Sequence, residues 1–352
     1  MKLTVVTTTY NQEKFIGEAI EGMIMQKTNF PFKIVISNDC STDKTLKILE
    51  EYRKRYPKKI EIINNKKNLG AMANFVSTLD KIKDTEYVAL CDGDDFWTDE
   101  NKLQKQVDFL DNNKDFNICF HKAKLFYENK EKKDEIIPQA AMEISTIEDL
   151  VKENYIVANS VVYRWKFNNK NLKDIFPKNI VPGDYYIHLL HAEDGKIKMI
   201  DEVMSAYRRH ENGMWWSNAD ANKEKFTLDY GKKFLNFYNA ADSYIKLPVD
   251  AFFEQRKDII YNIIVTYIKN DKINELKDVF VSDKDKSIYC DCMKDIINRN
   301  IWFLEYLANR EENEKKEKME RDELNQLKKK IQAIENSRWW KIRKILKGGK
   351  NE

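Results

Sequence analysis

The sequence predicts an α/β fold in which a mixed, mostly parallel sheet is flanked by helices and followed by an all-helical appendage. Over the first hundred residues, short β-branched runs alternate with amphipathic segments. This alternation is typical of a parallel sheet covered by helices. Beyond residue 216 the apolar residues recur at helical spacing with no further strand alternation, which predicts helices alone.

The N-terminal strands are predicted from short apolar runs bounded by polar residues that can turn the chain. These runs are Leu3–Thr8, Lys33–Ser37, Ile60–Asn64 and Tyr87–Cys91. Apolar residues at three- and four-residue spacing predict helices over residues 16–24 and 46–56. In open α/β sheets the loops at the carboxyl ends of the strands form the ligand crevice, so the residues directly after each strand are the candidates for chemistry.

Three regions are predicted along the chain. Residues 1–216 form the sheet domain, residues 217–309 form a helical appendage, and residues 310–352 form a charged helix and a basic tail. The appendage contains helical patterns at Lys223–Phe237, Ala251–Ile268 and Cys292–Ala308. In the tail, residues 337–347 interleave aromatic and aliphatic side chains with cations, a pattern that fits either an anionic membrane surface or a protein partner.

The composition limits the classes of partner and compartment. Lys and Arg total 61 against 58 Asp and Glu, so the net charge of +3 creates no strong field to attract nucleic acid. Five scattered cysteines do not resemble a secreted disulfide framework. The sequence contains no signal-peptide pattern and no run of eighteen apolar residues. We therefore expect a cytoplasmic protein, in contact with the inner membrane face if the tail binds lipid.

An acidic cluster follows the fourth predicted strand. Asp92, Asp94 and Asp95, with Gly93 among them, come directly after the apolar run Tyr87–Cys91. Carboxylates held together at a sheet edge repel one another and require a cation. Oxygen ligands of this kind suit Mg²⁺ or Mn²⁺, which bridge a few carboxylates to substrate phosphates. A turn or a helix cap is the alternative interpretation of such a cluster.

Asp39 follows the second predicted strand. An ionised carboxylate accepts hydrogen bonds only, so Asp39 can receive one from an N–H of a nucleotide base. Helix capping is the competing interpretation. Ser41 or Thr42 is the expected cap of the next helix, because both residue types favour that position.

Three segments together resemble the family 2 glycosyltransferases of GT-A fold. They are Val5 to Asn11, Asn38 to Asp43, and Cys91 to Trp97. The resemblance continues in Asn68-Leu69-Gly70 with Asn74, in Gly183 to Tyr186, and in Tyr207 to His210, so that it covers residues up to about 215. It implies an inverting transferase that takes a sugar from a nucleotide diphosphate donor, in this family most often a UDP-sugar.

The resemblance also assigns roles to individual residues. Asp184 would be the catalytic base, with Glu193 and Asp194 as a less favoured alternative. The metal, Mn²⁺ or Mg²⁺, would be bound by Asp94, Asp92 and His210. The implied nucleotide-binding residues are Thr7, Thr9, Tyr10, Asn11, Asp39, Asn68, Gly70, Asn74, Asp92 and Gly93. The candidates for contact with phosphate or acceptor are Asp95, Arg208, Arg209, Trp215 and Trp216.

The acceptor is left open by the sequence. A glycan, a lipid-linked glycan and a protein hydroxyl are all compatible with it. Two other functions would use part of the same pattern. A nucleotidyltransferase would also use acids at strand ends, but no Gly-rich phosphate loop is present. A catalytically inactive carbohydrate-binding or scaffold protein would keep the fold without needing Asp92, Asp94 and Asp184.

Overall fold

The computed structural model describes residues 1–129, 132–211, 213, 223–248, 251–270, 272, 275–276, 279–280 and 282–299. In this part of the chain the strands are β1 (Leu3–Thr9), β2 (Phe32–Asn38), β3 (Ile60–Asn64), β4 (Tyr87–Leu90), β5 (Phe96–Trp97), β6 (Phe116–Tyr127), β7 (Glu135–Ile137), β8 (Ile144–Ser145), β9 (Val162–Arg164) and β10 (Lys196–Arg209). The helices are α1 (Ile16–Ile24), α2 (Thr45–Arg55), α3 (Ala71–Leu79), α4 (Lys102–Asn112), α5 (Ile147–Leu150), α6 (Leu172–Ile175), α7 (Gly183–Ala192), α8 (Lys223–Tyr244), α9 (Phe253–Lys269) and α10 (Asp283–Arg299). A 3₁₀ turn spans Ala158–Ser160.

The described strands form a mixed sheet in the order β3-β2-β1-β4-β9-β6-β10-β5. Strands β1 to β4 are mutually parallel, and β10 is parallel to β6. Strand β9 is antiparallel to both β4 and β6, and β5 is antiparallel to β10. The predicted α/β fold class is confirmed. Each predicted N-terminal strand is present, and its ends agree with the prediction to within a residue.

Two apolar layers cover the sheet, as the period-two alternation of the strands requires. On β1, Val5 packs into a layer with residues of α1, α2 and α4, whereas Val6 packs into a layer with residues of α3 and α7. Helix α1 lies unusually close to β5, because a Cβ at Gly22 would be 2.8 Å from the Trp97 nitrogen. This close approach fixes β5, and with it the acidic loop that precedes β5.

The strand order creates a crevice at the carboxyl end of the sheet. From β1 the chain moves outward to β2 and β3, and it then returns to place β4 on the other side of β1. The loops after β1 and β4 therefore leave the sheet side by side, at the switch point where α/β proteins bind ligands.

The C-terminal helices α8 and α9 pack against the sheet domain. The rings of Tyr185 on α7 and Phe237 on α8 are stacked with centroids 5.2 Å apart. Residues 1–289 form one compact unit, and residues 290–352 form a second, of which 290–299 are described. In the described residues no helix is long and apolar enough to cross a membrane.

The prediction for the appendage differs from the structure at α10. The predicted helix covers 292–308, whereas α10 begins at Asp283, and residues 300–308 lie outside the described part. The first turn of α10 is highly charged. It is held by a buried ion pair in which Arg256 Nη1 lies 2.6 Å from Asp285 Oδ1. The boundary at residue 216 and the tail 337–347 also fall among residues that are not described, and both stay predictions.

Lys102 is a buried cation at the start of α4. Its side chain is fully buried, with Nζ donating to Gln106 Oε1 at 2.8 Å and lying 4.2 Å from the centroid of the Trp97 ring. No carboxylate pairs with it among the described residues. Burial lowers the pKa of Lys102 from 10.5 to about 7, because a low-dielectric interior disfavours the charged form.

We expect Lys102→Met to stabilise the protein in a pH-dependent way. Between the folded pKa of about 7 and the unfolded value of 10.5, the unfolded chain holds a proton that the folded chain lacks. Stability linked to Lys102 therefore rises with pH across this window. The gain in Tm from Lys102→Met should be largest near neutral pH and should shrink towards pH 10.5.

Thermal unfolding followed by circular dichroism at several pH values measures this gain. The exposed Lys54→Met on α2 is the matched control and should give no pH-dependent difference from wild type. A constant Tm difference for Lys102→Met across the window would contradict the prediction.

Candidate active site

The loops after β1 and β4 are joined by direct hydrogen bonds. Thr8 Oγ1 donates to Asp92 Oδ1 at 3.1 Å, and the Gly93 N–H donates to the Thr8 carbonyl at 3.0 Å. A Cβ on Gly93 would lie 2.4 Å from Gln12 Oε1 and 2.9 Å from Thr9 Oγ1. Glycine is therefore required for the acidic loop to lie against β1.

The end of β10 holds the same loop from the other side. His210 Nε2 lies 3.1 Å from Asp94 Oδ2, and Arg208 Nε donates to the Asp94 carbonyl at 2.9 Å. The Arg208 N–H donates to Asp95 Oδ1 at 2.9 Å. Residues more than a hundred positions apart in sequence thus fix the orientation of Asp94.

Asp95 is buried beneath the loop. It is 2% exposed, and Asn159 Nδ2 donates to its Oδ2 at 2.9 Å. Asn159 also donates to the Ala206 carbonyl at 2.9 Å and accepts from Ser205 Oγ at 2.7 Å. Sequence reasoning missed Asn159, because it lies in an irregular segment and belongs to no motif.

Arg208 is engaged by carboxylates. Its guanidinium forms ion pairs with Glu18 and Glu128, and Cζ lies 4.7 Å from the ring centroids of both Phe15 and Phe126. The sequence resemblance predicts that Arg208 contacts phosphate or acceptor. In the structure its charge is already balanced, and the residue braces the acidic loop.

Asp39, which directly follows β2, organises one wall of the site. One carboxylate oxygen accepts from the Leu69 N–H and from Asn65 Nδ2, both at 2.9 Å, and the other accepts from the Gly70 N–H at 2.9 Å. Asn65 Nδ2 also donates to Asn74 Oδ1 at 2.8 Å. Asp39 thereby orders the loop that carries the nucleotide-binding candidates from 68 to 74. Asn65 was not singled out from the sequence.

Neither Ser41 nor Thr42 caps α2, contrary to expectation. Ser41 Oγ accepts from the Asn11 N–H at 2.9 Å, and the Thr42 N–H donates to Asn11 Oδ1 at 2.8 Å. The first helical N–H, that of Thr45, is bound instead by Asp43 at 2.9 Å. Asn11 therefore links the loops after β1 and β2.

These loops enclose a cavity of about 840 Å³. Most of the site residues predicted from the sequence line it: Thr9, Tyr10, Asp39, Asn68, Gly70, Asn74, Asp92, Asp94, Asp95, Asp184, Arg208, Arg209 and His210. Thr7 does not, because its hydroxyl points into the core and lies 3.3 Å from Met23 Sδ. Asn11 and Gly93 do not line the cavity either, but they hydrogen-bond to the loops that form it. Trp215 and Trp216 lie outside the described residues.

Asp184 enters the cavity from the start of α7. It occupies the second position of the helix, where its carboxylate accepts the backbone N–H of Tyr185. Burial raises the pKa of Asp184, and the helix N–H groups partly offset that shift. The alternative acids face elsewhere. Asp194 Oδ1 lies 2.7 Å from Lys166 Nζ, and Glu193 Oε1 accepts the Lys246 N–H at 3.1 Å.

The carboxylates of the cavity share an unfavourable electrostatic environment. Burial, followed by the charges of Asp94 and Asp184, raises the pKa of Asp92. Burial and the charges of Asp94 and Asp92 raise the pKa of Asp95 well above its ordinary value. Like charges held this close favour protonation unless a cation is present.

Asp94 and His210 fit a divalent ion. No group of three or more His, Cys, Asp or Glu side chains with metal-binding geometry is found among the described residues. Mg²⁺ and Mn²⁺ do not need such a group when the substrate supplies phosphate oxygens. Asp94 and His210, which are in contact beside the charge of Asp92, would hold such an ion.

Comparison with known proteins relates the chain to glycosyltransferases. Residues 4–148 match the family model described as glycosyl transferase family 2. An uncharacterised protein of Mycobacterium tuberculosis is 41% identical over 224 residues, which span 64% of this chain and 63% of that protein. The poly(ribitol-phosphate) beta-N-acetylglucosaminyltransferase TarS of Staphylococcus aureus is 26% identical over 235 residues, 64% of this chain and 39% of TarS. The chain thus spans less than two thirds of these relatives.

A solved structure agrees at the level of the fold. The crystal structure of S. aureus TarS 1–349 in complex with UDP-GlcNAc aligns with a TM-score of 0.50 at 20% identity, covering 79% of this chain and 90% of that one. The matched family region contains β1 to β4, the acidic loop and the wall organised by Asp39. With these motifs on a sheet of GT-A type, the chain is similar to glycosyltransferase family 2 over residues 4–148.

Proposed function

We propose that this protein is an inverting glycosyltransferase that moves a sugar from a UDP-sugar to an acceptor hydroxyl, with Asp184 as the general base. One observation carries the proposal: the acidic loop, the wall organised by Asp39 and the carboxylate of Asp184 all open into one cavity. A nucleotide diphosphate sugar requires such groups on a single surface. The sugar, the diphosphate and the nucleotide base of the donor then each have a region of the cavity wall to contact.

The donor half of the cavity suits a nucleotide. Tyr10 is 45% exposed at the rim, where its ring can stack on a base. Asp39 has three hydrogen-bond donors on its carboxylate and room for another, since two carboxylate oxygens offer about four lone-pair sites. The complex of the relative TarS with UDP-GlcNAc supports a uridine donor.

A divalent ion, Mn²⁺ or Mg²⁺, would be held by Asp94 and His210, with Asp92 nearby. Such an ion, when bound, offsets the negative charge that develops on the leaving diphosphate. The protein's own part is to hold Asp94 in place through Arg208 and His210.

Asp184 would act on the acceptor. Its carboxylate removes the proton of the attacking hydroxyl while the hydroxyl oxygen forms a bond to the anomeric carbon. The bond from that carbon to the diphosphate breaks, and UDP leaves with the electron pair. A single displacement of this kind inverts the anomeric configuration. A carboxylate with a raised pKa is a stronger base than an ordinary aspartate, which suits this role.

The acceptor class and the cellular location follow from the same proposal. We infer a glycan, a lipid-linked glycan or a protein hydroxyl as acceptor. Contact with an anionic membrane surface through residues 337–347 would bring a lipid-linked acceptor to the cavity and place the protein at the inner membrane face.

The overall proposal is tested by a screen of nucleotide sugars. Thermal stabilisation and UDP release are measured with each donor, with and without Mn²⁺. A uridine donor should stabilise the protein more than guanosine or adenosine donors, and only when Mn²⁺ is present. If none of the donors stabilises the protein with Mn²⁺, the proposal fails.

Replacement of Asp94 by Ala should abolish the benefit of the metal. We expect UDP affinity in the presence of Mn²⁺ to fall at least about tenfold, since changes even one step removed from a metal commonly cost that much. Calorimetric titration with UDP measures this. Glu51→Ala, an exposed acid on α2, is the control and should bind UDP like wild type. Unchanged Mn²⁺-dependent binding in Asp94→Ala would rule out Asp94 as a ligand.

Replacement of Asp184 by Asn should separate binding from turnover. The amide cannot accept the proton, so kcat should fall by about 10²- to 10⁴-fold, the contribution typical of general base catalysis. UDP affinity should stay at the wild-type value. The surface variant Asp194→Asn is the matched control and should retain turnover. If Asp194→Asn loses turnover and Asp184→Asn keeps it, the assignment of the base is wrong.

A further inference from the structure

Helix α8 of the appendage packs against the helix that carries Asp184. The side chain of Phe237 on α8 is fully buried, and its ring stacks on that of Tyr185 with the centroids 5.2 Å apart. The same ring meets Tyr186 in a T-shaped contact, with the centroids 5.9 Å apart and the planes at 75°. Tyr185 and Tyr186 directly follow Asp184 on α7. One side chain of the appendage therefore contacts both residues that follow the proposed base.

The two tyrosines are also fixed at their hydroxyl ends. The Tyr185 hydroxyl donates to the Leu150 carbonyl at 2.7 Å. The Tyr186 hydroxyl donates to the Ile175 carbonyl at 3.3 Å. Successive side chains of an α-helix leave the axis about 100° apart, because the helix has 3.6 residues per turn. Holding both tyrosines therefore fixes the direction in which the side chain of Asp184 leaves α7.

Contacts from the appendage continue at both ends of α7. Before the helix, Asn236 Nδ2 on α8 donates to the Asn179 carbonyl at 3.3 Å. After it, the N–H of Lys246, which follows α8, donates to Glu193 Oε1 at 3.1 Å. Glu193 is the residue at which α7 ends. A movement of α7 relative to the cavity would break these contacts with the appendage.

Helix α8 also borders the cavity itself. Tyr230, seven residues before Phe237, lines the cavity together with Asp184. Residues seven apart share one face of a helix, so the face of α8 that packs on α7 also reaches the cavity. Among the described residues, the hydrogen bonds that orient Asp39 and Asp94 come from residues 65–70 and from the end of β10. Helix α8 is thus placed to act on the base rather than on the donor wall.

We propose that Phe237 is a positioning residue: by stacking on Tyr185, its ring aims the carboxylate of Asp184 at the acceptor hydroxyl. The inference rests on the proposed function and extends it, because it makes the helical appendage part of the catalytic unit. Both α7 and α8 lie beyond residue 148, where the family match ends. A displacement of about 1 Å in a reacting group can cost about 10²-fold in rate.

The test compares Phe237→Leu and Phe237→Met with the control Phe116→Leu in the full-length protein. Both replacements at position 237 stay apolar but lose the aromatic contacts, and the flexible Met serves where Leu fails to fold. Phe116 is also buried and makes a T-shaped contact with Phe109 at 5.0 Å, but it does not line the cavity.

UDP release is measured with Mn²⁺ and the UDP-sugar that gives the fastest release in the donor screen. Water serves as the acceptor, so that Asp184 would remove a proton from water. UDP affinity is measured by calorimetry, and stability is measured by thermal unfolding.

We expect kcat to fall about 10- to 100-fold in Phe237→Leu, while UDP affinity stays at the wild-type value. Phe116→Leu should lower Tm by a comparable amount and keep kcat. In the double variant Phe237→Leu/Asp184→Asn, kcat should fall no further than in Asp184→Asn alone. An effect that acts through the Asp184 carboxylate disappears once that carboxylate has been removed.

Two results would overturn the inference. In the first, the Phe237 variants keep the wild-type kcat or lose no more of it than Phe116→Leu does. In the second, the loss in the double variant is the product of the two single losses, which would show that Phe237 acts independently of Asp184. If wild type releases no UDP from any UDP-sugar, the proposed function itself fails, so the two failures are distinguishable.

Discussion

The structure of the site depends on the crowding of carboxylates at one sheet edge. Strand β4 delivers Asp92, Asp94 and Asp95 into a loop of a few residues, and Gly93 allows that loop to press against β1. Burial, followed by the repulsion between these acids, raises the pKa of both Asp92 and Asp95. A fold can keep such a loop only by supplying donors from elsewhere. Those donors come from β1, β10 and the 3₁₀ turn.

Among the described residues, the hydrogen-bond donors reach the underside of the acidic loop, and no Lys or Arg forms an ion pair with Asp92 or Asp94. Asp95 accepts hydrogen bonds from the Asn159 side chain and from the backbone N–H of Arg208. The Arg208 guanidinium forms ion pairs with Glu18 and Glu128. These contacts stabilise the underside of the loop without neutralising the face towards the cavity. Asp92 and Asp94 therefore keep their unfavourable proximity on that face. A divalent ion held by these acids would relieve the repulsion between them.

Sequence reasoning succeeded where the signal is local. Period-two runs predicted β1 to β4, and the polar residues at their carboxyl ends were correctly expected to meet, because parallel strands bring those ends together. It missed Asn65 and Asn159, whose importance comes from partners far away in the chain. It also assigned Arg208 and Arg209 the same role, contact with phosphate or acceptor. Strand β10 has register shifts between Ile200 and Ser205, so alternation counted from its start does not predict which arginine pairs with Glu18 and Glu128.

Packing of α3 against α7 connects Asp184 to the wall organised by Asp39. Helix α3 begins after Gly70, whose N–H binds Asp39, and its Met72 passes so close to α7 that a Cβ on Gly183 would be 2.3 Å from the Met72 methyl carbon. Asp184 directly follows this glycine. This apolar contact therefore helps to set the distance from the Asp184 carboxylate to the wall organised by Asp39. An apolar contact has no preferred direction and carries no charge, so it adds no further charge near Asp184, whose pKa is raised by burial.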